Sequence, residues 1–160
     1  MAYFEKRSVR LGFMAVALVW ASEASAQEAL LCEPLAAIVA NAKMDFAGLK
    51  TGRPDKTEYG VDWQPSVRLP YGSRCLIHYS KSFKKTHYTC DYLVSGGRDA
   101  SAEMLKFADS IAACQPAMVR SGDGKLTEFD SNDAEISLSF QPHYPHEFTL
   151  YVEMPKAEKR

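Results

Sequence analysis

Two stretches of this chain mirror each other across a short polar turn: Cys75-Leu76-Ile77-His78 and His87-Tyr88-Thr89-Cys90. Each lies in an alternation of apolar and polar residues, Arg74 to Ser80 and Thr86 to Val94, with five residues rich in lysine and serine between them. Period-two alternation on both sides of a polar turn predicts a β-hairpin. A turn at Ser82–Phe83 sets Cys75 opposite Cys90, Ile77 opposite Tyr88 and Tyr79 opposite Thr86. One face then carries Cys75, Ile77, Tyr79, Tyr88, Cys90 and Tyr92. A slip of one residue would mix the two faces, so the pattern itself fixes the register.

Whether those cysteines pair depends on where the protein resides. Lys6, Arg7 and Arg10 precede an apolar run from Leu11 to Trp20, and Ala24-Ser25-Ala26 follows with small residues where a signal peptidase reads. This is the layout of a cleaved secretory signal, residues 1–26, with Gln27 first in the mature chain. The apolar run of about ten residues is short of the roughly 20 that a spanning helix needs. A lipoprotein fits poorly, because Cys32 lies six residues beyond Ala26. The expected location is the periplasm or the outside of the cell, where cysteines oxidise, and no membrane span is expected after signal cleavage.

Removal of 26 residues leaves 134 of 160, enough for one domain (residues 27–155) followed by a short charged tail (156–160). Three of the 19 basic residues and two of the 20 acidic ones belong to the signal, which leaves a mature net charge of −2. Such a balance has no long-range field for nucleic acid. The lysines 81, 84 and 85 around Phe83 form the one basic cluster, which reads as a solvated hairpin tip.

Elsewhere the pattern predicts a helix, a loop, a second helix and a second hairpin. Leu31, Leu35, Ile38, Val39, Ala42, Phe46 and Leu49 recur every three or four residues, with Pro34 in the first turn and Gly48 or Gly52 as the stop. Residues 50–65, with two glycines and two prolines, read as a loop from which Trp63 returns to the core. A short strand at 66–69 is expected next. After Gly96-Gly97, Asp99 is an N-cap for a helix that turns Met104, Leu105, Ala108, Ile111, Ala112 and Cys114 inward and stops at Pro116. Residues 121–124 read as a turn and 125–129 as a strand. Ile136, Leu138 and Phe140 alternate with polar residues, as do Phe148, Leu150, Val152 and Met154. The expected fold is α+β: two helices on one face of an antiparallel sheet, in the order helix–hairpin–helix–hairpin, stapled by two disulfides. The order hints at a structural duplication, although no repeat is visible residue by residue.

Four cysteines allow three pairings. The hairpin register favours Cys75–Cys90, and antiparallel helices would bring Cys32 to Cys114. The competing arrangement joins each helix to a strand. A redox enzyme would want two cysteines two residues apart at a helix N-terminus, and no such pair exists.

Histidines are the residues most able to carry chemistry. Cys75, His78, His87 and Cys90 have the composition of a zinc knuckle, but residues three apart on a strand point to opposite faces. His78 facing His87 on the outer side is a candidate pair for a transition metal, and His143 and His146 would complete it if their loop folded over. No Gly-x-Ser-x-Gly elbow, catalytic-cysteine signature or phosphate-binding glycine loop is present. No catalytic residue and no cofactor are therefore assigned. Phe83, Tyr144 and Tyr151 are aromatic residues expected at hairpin tips or on the wet face, where aromatics mark protein contacts. The expectation is an exported inhibitor or accessory protein that binds a periplasmic protein partner, with a small-ligand or metal-binding module as the alternative.

Overall fold

In the computed structural model, residues 20–155 are described, with side chains from residue 30 onward. The signal-peptide reading at residues 1–19 and the tail reading at 156–160 lie outside the described residues. Residues 20–26 form the first turns of the leading helix.

Helix α1 runs from Trp20 to Ala42. It begins earlier than expected because Glu23 to Leu31 is rich in alanine, glutamate, glutamine and leucine, all good helix formers. Pro34 therefore lies inside the helix rather than in its first turn. The helix also ends earlier. Asp45 and Phe46 both adopt left-handed backbone conformations, with φ of 50° and 57°, which no α-helix accommodates. Phe46 and Leu49 reach the core from this turn and from the 3₁₀ turn Ala47–Leu49. All seven stripe residues are buried, so the spacing reported burial correctly and helix length incorrectly.

The expected loop at 50–65 is a pair of strands, β1 (Lys50–Lys56) and β2 (Gly60–Pro65). Gly52 and Pro54 fit because β1 is an edge strand with an irregular register between Thr51 and Asp55. No strand forms at 66–69. The hairpin β3 (Arg74–Ser80) and β4 (Lys85–Leu93) pairs Cys75 with Cys90, Ile77 with Tyr88 and Tyr79 with Thr86.

Helix α2 (Ala100–Cys114) opens on Asp99, whose side chain accepts from the Ser101 amide at 2.8 Å. Phe107, not Leu105, packs against the core. Four strands follow: β5 (Val119–Gly122), β6 (Leu126–Asp130), β7 (Glu135–Phe140) and β8 (Glu147–Glu153). Met154 lies past the end of β8 and is exposed.

All eight strands form one antiparallel sheet in the order β1-β2-β3-β4-β8-β7-β6-β5. Each expected hairpin is thus half of a four-stranded meander, and each half of the chain is one helix followed by one meander. β4 pairs with β8 at the centre, so the strand order reads the same outward in both directions. The fold is mixed α+β with the sheet dominant. α1 and α2 contact each other and the central strands, and their buried side chains join one cluster with Ile77, Tyr88, Cys90, Ile136, Leu138, Leu150 and Val152. Alternate positions on those strands, including His78, His87, Thr89, Asp91, Ser137 and Tyr151, are only half-buried and form a polar second face.

The disulfides are Cys32–Cys114 and Cys75–Cys90. The first ties the α1 side of the molecule to the end of α2. The second crosses the β3–β4 hairpin, with Gly72 folded over it. A Cβ at Gly72 would lie 2.8 Å from both sulfurs, so no larger residue fits beneath that turn.

Candidate functional site: the polar face of the sheet

Four adjacent strands bring a row of polar rings onto the half-buried face. Strand pairing sets Asp62 beside His78, His78 beside His87, and His87 beside Glu153. The Asp62 carboxylate lies 2.5 Å from His78 Nδ1. This contact orients the His78 ring toward β2. Gly60 makes room for this ring: a Cβ there would lie 2.6 Å from His78 Cε1 and would strike the Tyr79 carbonyl. The absent side chain at Gly60 therefore helps to position His78.

The His87 ring centre lies 5.1 Å from that of His78 and 5.6 Å from that of Tyr151, which meets it edge-on. Burial holds the His87 pKa below its ordinary value, and the neighbouring His78 adds to this; Glu153 and Asp62 act in the opposite sense. His87 is thereby kept neutral further into acid than a free imidazole. Tyr151 has its pKa raised, first by burial and then by Asp91 and Glu153, and so remains a protonated phenol. Lys85 approaches Glu153 at 3.6 Å.

The row is one wall of an open hollow of about 520 Å³, bounded by Ser80, Phe83 and Lys85 at the hairpin tip. Phe83 is 78% exposed. Ser80 Oγ accepts from the Phe83 amide at 3.3 Å. The arrangement offers one oriented imidazole, one neutral-biased imidazole and a phenol: a surface for hydrogen bonding and ring contact.

The other expected ligands lie elsewhere. His143, Tyr144 and His146 occupy the exposed β7–β8 turn, where the Val94 amide donates to the His146 carbonyl at 2.7 Å. That turn enters β8 at Glu147, opposite Leu93, whereas His87 lies opposite Glu153. The intervening strand is roughly 20 Å long at about 3.4 Å per residue. The structure brings His78 and His87 together and leaves His143 and His146 at the far end. Among the described residues no group of three or more His, Cys, Asp or Glu side chains is placed to hold a metal ion. Both hairpin cysteines face the core in a disulfide, away from the histidines. Phe83 and Tyr151 border the same hollow, while Tyr144 is at the opposite end.

Asp62 and Gly60 were invisible to pattern reading because their segment looks like a loop. The detectable signal was the alternation Gly60, Asp62, Gln64 against Val61, Trp63, Pro65, which the flanking prolines and glycines masked. Comparison with known protein families, curated proteins and solved structures found no match for this chain.

Proposed function

We propose that this chain is an exported binding protein, of inhibitor or accessory type, that engages a protein partner through the β3–β4 tip and the ring row behind it, without catalysis. The observation that carries this reading is Phe83. A phenylalanine left 78% exposed at a hairpin tip forgoes the burial that about 25 cal/mol per Å² would reward, unless a partner supplies it. The tip is also braced. Lys81 Nζ donates to the carbonyls of Thr57 and Glu58 at 2.7 and 3.2 Å, tying the tip to the β1–β2 turn. A braced wedge loses little freedom on binding. Three lysines surround Phe83, so the complementary partner surface is an apolar pocket with an acidic rim. Two disulfides and the signal-like leader support a site of action outside the cytosol.

The test has two steps. Intact mass of the exported protein, native and after reduction and alkylation, should give a start at Gln27 and four blocked thiols. Wild type, Phe83→Ala and Tyr144→Ala are then used to capture partners from periplasmic extract. The Phe83 variant should lose at least tenfold of the captured protein, as expected for a central aromatic contact, while the Tyr144 variant should not. Equal capture by all three, or loss confined to Tyr144→Ala, would remove the tip from the contact.

A further inference from the structure

A second hollow lies at the other end of β4, between α2 and the Tyr71 turn, and has a volume of about 530 Å³. We infer that it is a binding site for a small amphipathic carboxylate, distinct from the Phe83 surface. Its volume falls in the range of small-molecule pockets. Three features of its lining point to that ligand class.

The first is an aromatic wall. Tyr92 and Phe148 stack nearly parallel with ring centres 4.9 Å apart, and Phe107 lies 4.6 Å from Tyr92. At the rim, Tyr71 and Leu93 are 69% and 65% exposed and extend the apolar surface outward. The second is charge. Arg98 and Lys106 both pair with Glu103, at 3.3 and 2.9 Å, and Glu103 is the one acid in the lining. Two cations sharing one carboxylate leave a positive charge unbalanced, which an anionic ligand would complement.

The third is the Tyr92 hydroxyl. It is the one buried side-chain polar atom without a hydrogen-bond partner among the described residues, and Tyr92 is 4% exposed. A buried hydroxyl with no partner is costly, and native structures seldom keep one without reason. Burial also pushes its ionisation far up, so it is a donor at any ordinary pH. Tyr92 lines the hollow, and a ligand oxygen that reached its hydroxyl would give that donor its acceptor.

The probe is 2-naphthoate, titrated calorimetrically into the disulfide-intact protein, with neutral 2-naphthamide as the control. Saturable binding is expected, at least tenfold tighter for the acid than for the amide. Leu93→Asp, at an exposed position, should weaken binding at least tenfold with an unchanged near-ultraviolet circular dichroism spectrum. Tyr92→Phe should weaken binding about tenfold without lowering the melting temperature, because it removes an unsatisfied buried group from the free protein. Phe83→Ala should bind the probe as wild type does, which separates this site from the tip. Absence of saturable binding, equal affinity for acid and amide, or indifference to both Leu93→Asp and Tyr92→Phe would overturn the assignment.

Discussion

The two halves of the molecule share a topology and differ in what they do with it. Each is a helix followed by four antiparallel strands, and they meet where β4 pairs with β8. The first half has a disulfide across its own hairpin, both histidines of the ring row and a braced, lysine-rich tip. The second half has no disulfide of its own, and its outermost strand β5 is four residues long and fully exposed. Across its polar face, Ser137, Ser139, Thr149 and Glu128 replace the histidines. The fold alone therefore does not create the candidate site. Side chains gathered where the two halves meet do: Asp62, His78 and His87 from the first half and Tyr151 and Glu153 from β8 of the second.

The largest test of this contrast compares the two disulfides. Cys32–Cys114 joins residues 82 apart and links the halves, whereas Cys75–Cys90 joins residues 15 apart within one half. By loop entropy, replacing the first pair with serines should cost about 4–5 kcal/mol and the second about 3 kcal/mol. Urea unfolding of the two double variants measures both. A larger loss from the hairpin pair would mean that the first half, rather than the link between halves, limits stability.

A smaller effect is expected at Gly60. In Gly60→Ala the new Cβ meets the His78 ring and the Tyr79 carbonyl, so β2 must shift against β3. Overpacking of this kind costs roughly 1–3 kcal/mol. The His78 ring resonances should move as well. Wild-type stability with unmoved His78 signals would show that Gly60 does not position this ring.

The smallest effect is the response to acid. His87 has a folded-state pKa below the ordinary value, so the unfolded chain takes up this proton first. As pH falls below about 6.5, the unfolded state gains protons that the folded state refuses, and stability drops. The drop stops growing once the pH is below the folded pKa. His87→Gln should flatten that part of the stability–pH curve; an unchanged slope would place the titration elsewhere.

Much of this was legible beforehand because burial follows periodicity. The Cys75–Cys90 register, the Asp99 cap and the alternation of Ile136, Leu138, Leu150 and Val152 are local or single-face patterns, and the strands pair as those patterns require. Among the candidate residues, sequence placed His78 opposite His87 and Phe83 at a tip. It offered His143 and His146 as further ligands only if their loop folded over, and the structure holds that loop at the other end of β8, which nothing in spacing reports.

The sequence by itself determined most of the buried stripe on each helix and strand and which histidines face each other, and it favoured the cysteine pairing that the structure has. Only the tertiary structure decided that residues 50–65 are strands, since an edge position tolerates Gly52 and Pro54 where an isolated segment would read as loop. Only it ended α1 at Ala42, because the left-handed Asp45 and Phe46 hold their conformations through burial of the Phe46 ring against Tyr88. And only it set Asp62 beside His78. That contact joins residues 16 apart through strand pairing, and such pairing is settled by the competition of the whole chain for one core.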